Sequence, residues 1–315
     1  MKNYLLILSL VSILFSCNKP DNNDETVEDS SFRISKATLY DKGLENELIE
    51  YHYVGDKLSE LIGSIKAYDS TGFTNWYKIS FEYELPKVVA VLSLNYSGEW
   101  QEFDRLEYQI IDGKMTAKTE FEYQDGSLEK KYLSAYSFIN GQLNTYTKEG
   151  YYDKEVKQVH RREYFYENDK LMLCNIYELN DGNLFLHRFE SYTYRADEFD
   201  VDTYRVSDSL HWSKQLNALV NGKIMHREHY ADNMYNELEY IGVENYLYNA
   251  DGLLSETHLL IDNDDELIKI VYEKGRGNIA WFYAPEEELA HQTPVPQKNI
   301  SSKFVGGFFL NLDKH

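Results

Sequence analysis

The chain has 315 residues, with 53 acidic against 32 basic side chains and a formal charge of −21 at neutral pH. An acidic excess of this size repels nucleic acid and anionic lipid surfaces, so neither is expected as a partner. With 43% hydrophobic residues, 28 tyrosines among them, the chain still carries enough apolar surface for one large domain or two smaller ones.

Met1-Lys2-Asn3 is a short positive start, and an apolar run from Tyr4 to Phe15 follows it. The run is too short to cross a bilayer as a mature helix. It ends in Leu14-Phe15-Ser16-Cys17, a small residue before a cysteine with Leu two places further back. This box resembles that of bacterial lipoprotein signal peptides. The resemblance implies that residues 1–16 are removed and that Cys17 becomes the new N-terminus, acylated on its sulfur and its amine. Several acyl chains anchor stably where a single one does not. Asn18 after the cysteine implies the outer membrane by the same resemblance. Residues 17–31 form an acidic polar tether with Asp21, Asp24, Glu25, Glu28 and Asp29, a composition that cannot bury a core. Acidic residues here resemble the surface-export signal of Bacteroidota lipoproteins, yet Pro20, Asn22 and Asn23 interrupt them, which leaves periplasmic and cell-surface exposure both open. Cys174 is then the one other cysteine, expected as a small buried apolar residue without a disulfide.

From residue 32 to 284 the sequence predicts an all-β domain. The clearest unit runs from Glu244 to Thr257. Tyr246 and Tyr248 alternate with Asn245 and Leu247, Asn249-Ala250-Asp251-Gly252 reverses the chain, and Leu253-Leu254 open the returning strand. Turn signals recur every ~28 residues, within the range of structural repeats. One series passes through Gly55-Asp56, Pro86, Asp112-Gly113, Asn140-Gly141, Asn168-Asp169, Ala196-Asp197, Asn221-Gly222, Asp251-Gly252 and Gly275-Gly277. A second falls between them at Ser70-Gly72, Ser97-Gly98, Asp125-Gly126, Tyr152-Asp153, Asp181-Gly182, Ser207-Asp208, Asp232-Asn233 and Asn263-Asp264. The two series predict a long antiparallel meander of about 16–18 strands without helices, its units beginning near residue 45.

The unit resembles the YD repeats of RHS-type proteins, Y-x-Y-D-x-x-G-x-L. Tyr246-Leu247-Tyr248-Asn249-Ala250-Asp251-Gly252-Leu253-Leu254 matches with Asn for Asp. Tyr164-Phe165-Tyr166, Tyr51-His52-Tyr53 and Tyr136-Ser137-Phe138 head partial copies. The pattern is also similar to Bacteroidota outer-membrane lipoproteins of unknown function that carry repeated hairpins of this kind and porin-like sheets. A transmembrane barrel is disfavoured, because Glu and Lys recur along the polar faces and the chain ends Asp313-Lys314-His315 instead of on an aromatic residue. A water-exposed sheet should curl or close into a flattened barrel, since closure removes sticky edges and a round one would leave a wide hole. Residues 285–315 read as a Pro-containing link, with Pro294 and Pro296, followed by an apolar last strand or plug.

Chemical signals are weak. His226 and His229 lie three apart on a predicted strand, so they point to opposite faces and cannot share one ion. Asp262, Asp264 and Glu266 echo a calcium loop, but Leu267 stands where the sharp turn needs Gly, and Asp200 with Asp202 could share a face. No nucleophile elbow, phosphate loop or dinucleotide fingerprint occurs, so no catalytic residue and no cofactor is nominated. Trp100 and Trp212 each follow a second-series turn and stand 112 residues apart, four repeats, while Trp76 takes a similar place. They are the candidate ligand-binding residues at one rim. The functional expectation is an outer-membrane lipoprotein, anchored through Cys17, that binds protein, peptide or glycan without chemistry. The alternatives are a structural or assembly subunit of an envelope complex and a carboxylate-dependent glycan hydrolase.

Overall fold

A computed structural model describes residues 32–276 except 67–71, 113, 125, 153, 181, 234–236 and 262–263. Cys17, the tether and the region 285–315 lie outside the described residues. All the regular structure described is strand. The first nine are β1 Phe32–Asp41, β2 Leu44–Val54, β3 Lys57–Lys66, β4 Phe73–Glu84, β5 Lys87–Tyr96, β6 Glu99–Ile111, β7 Lys114–Gln124, β8 Ser127–Ile139 and β9 Gln142–Tyr152. The second nine are β10 Glu155–Glu167, β11 Lys170–Asn180, β12 Asn183–Tyr194, β13 Glu198–Arg205, β14 His211–Val220, β15 Lys223–Asp232, β16 Leu238–Tyr248, β17 Leu254–Ile261 and β18 Asp264–Lys274.

Each strand pairs antiparallel with the next. β1 pairs with β18 from Phe32↔Lys274 to Asp41↔Glu266, so the meander closes into a barrel. Both turn series therefore become rims. The first series lies at one end, here called the tight end because the buried core lies beside it, and the second lies at the other. β1 precedes the point where the sequence units were expected to begin. Its turn, Lys42-Gly43, has both residues at positive φ and belongs to the second rim. Asn140-Gly141, Asn168-Asp169 and Asn221-Gly222 likewise have both residues at positive φ, the two-residue geometry that matches strand twist.

Register and burial give the facing of each side chain. Ile49, Tyr51 and Tyr53 point inward from β2, while Glu50, His52 and Val54 point out. At the tight end the returning strand repeatedly carries one extra residue. Tyr53 faces Leu58 whereas His52 faces Glu60, and the same slip occurs after Ile110, Phe138, Tyr166, Leu219 and Tyr248. The extra residue is a hydroxyl side chain in three of these, and it bonds across the hairpin: Ser59 to the His52 carbonyl, Thr116 to the Gln109 carbonyl, Ser255 to the Leu247 carbonyl. In these three hairpins the bulged residue gains a backbone acceptor where the ladder is interrupted.

In four hairpins a second-position tyrosine then ties one hairpin to the one before. Pairing between β3 and β4 ends at Glu60↔Ser80, and just beyond it the Tyr83 hydroxyl donates to the Leu58 carbonyl at 2.7 Å. Tyr166, Tyr248 and Tyr272 do the same for the carbonyls of Leu143, Ile224 and Leu254, at 3.0, 2.9 and 2.8 Å. A basic residue clasps the same gap from the turn. Lys57, Lys114, Lys170 and Lys223 lie over the rings of Tyr83, Phe138, Tyr194 and Tyr248, and Arg33 lies over Tyr53. Three of these cations also donate to the turn glycine of the neighbouring hairpin, Gly55, Gly141 or Gly252. Cation, ring and carbonyl together hold the splaying strand ends where the backbone ladder has run out.

The core is the inward face near this end. Tyr51, Phe81, Tyr108, Tyr136, Tyr164, Tyr192 and Tyr246 form its ring, with Leu58, Val88, Met115, Leu143, Leu171, Phe199 and Leu254 beside them, all 0–8% exposed. A wide open hole would leave these side chains wet, so this level of the barrel is filled. Replacing Tyr166, Tyr248 or Tyr272 by Phe removes one hydroxyl and leaves a carbonyl without its bond. Each change is expected to destabilise the protein by about 1 kcal/mol, measured by denaturant unfolding, and by similar amounts at all three sites.

Candidate functional site

The repeat diverges at one inward position, two residues before the first ring of each Y-x-Y pair. On β18, β2, β4 and β6 it holds Ile268, Ile49, Ile79 and Leu106, whereas on β8, β10, β12 and β16 it holds Ser134, Arg162, Glu190 and Glu244. At this level the wall is apolar on one side and polar or charged on the other, although nearer the second rim β2 and β18 also carry Glu47, Asp264 and Glu266 inward. Buried charges cost free energy unless paired and hydrogen-bonded, and here they are.

The tightest network spans β14 to β16. Arg227 is 1% exposed, and its Nε donates to Asn217 Oδ1 at 2.6 Å, while the Asn217 amide donates to the Phe199 carbonyl at 3.1 Å. Glu244 Oε2 lies 3.6 Å from Arg227 and accepts from the Tyr246 hydroxyl, and its Oε1 meets His229 Nε2 at 3.0 Å. Burial alone would raise the Glu244 carboxyl. The hydrogen bonds from His229 and Tyr246 and the Arg227 charge outweigh it and hold the group down at about 2. On β10, burial and the neighbouring Arg162 charge push His160 down to about 4, and Arg162 Nε lies 3.2 Å from His160 Nε2. Across the wall, burial of Glu120 is opposed by Lys118 and Lys148, which lower its carboxyl, and Lys148 sits 4.2 Å from the Tyr132 ring. Cys174 faces the same interior, and burial pushes its thiol up. That fits a small core residue and not a nucleophile.

The three tryptophans all sit near the second rim, each exposed by 36–40%. The rim does not bring them together. Trp100 on β6 pairs with Asn95 on the outer face, where Lys78 lies 5.0 Å from its ring. Trp76 occupies a bulge on β4. Trp212 fills a bulge on β14 and packs against Arg188 and Arg205, which share the inward side of β12 and β13. Four repeats separate Trp100 from Trp212, but the intervening bulges shift the phase, so one ring lies outside the wall and the other inside.

The remaining sequence candidates fall apart from one another. His226 faces out, 2.8 Å from Asn245, and His229 faces in. Asp200 and Asp202 do share the outer face, yet both are engaged: Asp200 with Arg195 and Lys214, Asp202 with His211 at 2.8 Å. Asp264 and Glu266 lie on the inward side of β18, opposite Ile261 and Leu259, and Asp262 lies outside the described residues. What sequence reading missed is the cross-strand pair Arg188↔Arg205. Its only trace is two arginines 17 residues apart on either side of a turn, a spacing that means nothing until the register is known.

The outer face carries charge along its height. Arg105 and Lys87 pair with Glu107, Arg161 with Glu163, and Lys269 with Glu256. No family model and no curated protein matches the chain. Among solved structures, a protein of unknown function from Bacteroides fragilis NCTC 9343 aligns over 46% of this chain and 91% of its own, at 11% identity and a TM-score of 0.24. A porin-like protein from Bacteroides vulgatus ATCC 8482 aligns over 76% of this chain and 98% of its own, at 10% identity and a TM-score of 0.39. Likeness at this level assigns neither a family nor a function.

The charged networks make stability depend on pH. His160 has a folded pKa below its ordinary value, so its neutral form favours folding: that contribution is complete above about pH 6.5 and is lost as pH falls toward 4. Glu244, also lowered, contributes above its ordinary value of 4.5 and loses that contribution as pH falls toward 2. Melting temperature should therefore decline in two acid limbs. His160→Gln is expected to flatten the upper limb alone, in a series of thermal melts from pH 8 to 3.

Proposed function

We propose that the chain is a cell-envelope lipoprotein, held to the outer membrane by acylated Cys17, whose barrel stays in water and binds a ligand at its polar rim without chemistry. The difference between the two ends carries this reading. The first rim is backed by a filled layer of tyrosine and leucine, whereas the second rim presents half-exposed tryptophans, of which Trp100 and Trp212 are braced by cations. Aromatic side chains held this way are the usual anchors of a binding surface.

Two further observations favour it. Charged residues and ion pairs along the outer face conflict with the apolar band that a lipid-spanning barrel presents, so the membrane link falls to the acylated cysteine. The inward carboxylates Glu120 and Glu244 have lowered pKa values and fixed partners. A glycosidase acid needs the opposite shift, so the hydrolase alternative gains nothing here.

Two measurements test the reading. Cys17→Ser should abolish incorporation of radiolabelled palmitate and leave an unprocessed precursor; labelling of that variant would remove the anchor. Trp100→Ala and Trp212→Ala should each leave the melting temperature within a few degrees of the parent, as expected for half-exposed rings. At least one should weaken capture of envelope protein or glycan tenfold or more, about 1.4 kcal/mol. Lower melting temperatures with capture unchanged would mean that the rings are structural.

A further inference from the structure

We propose that Arg188, Arg205 and Trp212 form a site for a single carboxylate-bearing sugar, the acid held between the guanidinium groups and the sugar ring laid on the indole. This proposal rests on the binding reading above and names its ligand class. Its starting point is an electrostatic conflict. Arg188 and Arg205 are direct cross-strand partners on the inward side of β12 and β13. Like charges placed opposite each other destabilise a sheet, and a carboxylate between them would relieve that repulsion.

The protein relieves it on the Arg205 side, where the Asp208 and Asp232 charges favour the cation, and only in part on the Arg188 side. Arg188 NH2 reaches Glu178 at 3.4 Å, and its Nε is buried with no hydrogen-bond partner among the described residues. Arg205 is held by Asp208, whose carboxylate sits on its guanidinium fork as an internal stand-in for an acid ligand. Asp208 belongs to the turn between β13 and β14, at the mouth of the barrel. The Trp212 ring lies 5.7 Å from Arg188 and 5.3 Å from Arg205, and it remains 40% exposed. Both arginine side chains are 30% exposed, so a solute entering at the rim can reach all three groups.

The chemistry favours sugar over peptide. Extended peptides commonly bind by adding a strand to a free sheet edge. Among the described residues the barrel has none, because β1 and β18 pair with each other. A flat indole beside charge-assisted donors suits a pyranose instead, whose C–H face meets the negative face of the ring while its carboxylate takes the bidentate bonds. The overall charge of −21 disfavours long polyanions, which restricts the site to one or two acid groups.

The test uses the mature chain on an array of uronic-acid and sialic-acid glycans, each beside its carboxyl-reduced neutral form and beside acidic peptides. Acidic glycans should bind at least tenfold more tightly than their reduced forms, and more weakly as salt rises. Arg188→Gln, Arg205→Gln and Trp212→Ala should each lower affinity at least tenfold with melting temperature preserved. Asp208→Asn keeps the acceptor for the Leu210 amide but removes the competing charge, so it should raise affinity several-fold; a purely structural role for these residues gives no such gain. Equal binding of the reduced glycans, or preference for acidic peptides, overturns the acidic-sugar site while leaving the binding function standing. If no glycan, peptide or envelope partner is retained, both proposals fall together.

Discussion

Closure of the sheet is the constraint on which the rest depends. Eighteen strands in a row would leave two edges of unpaired N–H and C=O groups, and an inward face with nothing to cover it. Pairing β1 with β18 removes both edges and gives every strand an inside and an outside. Alternation along each strand then has a fixed meaning: inward positions must fill space or pair charge, and outward positions face the surroundings. The bulges at the tight end, the tyrosine hydroxyls beyond the last rungs and the lysine clasps all serve the same closure. They hold strand ends that would otherwise splay and satisfy carbonyls exposed there.

The two ends differ because one layer of the interior could be built from a repeated apolar unit and the other was left to vary. Every hairpin contributes aromatic or aliphatic side chains to the filled level. The position just above it departs from the repeat, apolar on β18 to β6 and charged or polar on β8 to β16. Arg227, Glu244 and His229 are held by contacts to neighbouring strands, and Arg162 meets His160 along its own strand, so these side chains have fixed partners. For the binding proposed here, side chains with fixed partners beside cation-braced tryptophan mean that little has to be ordered when a ligand arrives.

Much of this architecture was legible in the residues. Alternating Tyr246 and Tyr248 with a following Asn-Ala-Asp-Gly turn specified a hairpin, and two interleaved turn series gave both rims and the strand number. β1 escaped the repeat because Lys42-Gly43 stands outside both turn series drawn from the sequence, although its Gly follows a residue that also takes positive φ. The lysine just before an inward apolar residue, as in Lys57-Leu58, Lys114-Met115, Lys170-Leu171 and Lys223-Ile224, was also in plain view, yet its meaning depends on the neighbouring hairpin's ring. The site was less legible for a physical reason. A single bulge exchanges inside for outside, and nothing in the local sequence counts bulges reliably. Trp100 and Trp212 thus share a repeat phase but not a face, and Arg188 and Arg205 become partners only through the register of β12 and β13.

Closure can be tested directly by amide hydrogen exchange on β1 and β18. Thr38 and Tyr40 pair with Lys269 and Leu267 across the seam, in step with the Lys42 N–H that donates to the Asp265 carbonyl. Their amides should exchange as slowly as those of β10 and β11, which lie within the wall. Fast exchange along one side of either strand, at the rate of an exposed edge, would show an open sheet and contradict the account at its foundation.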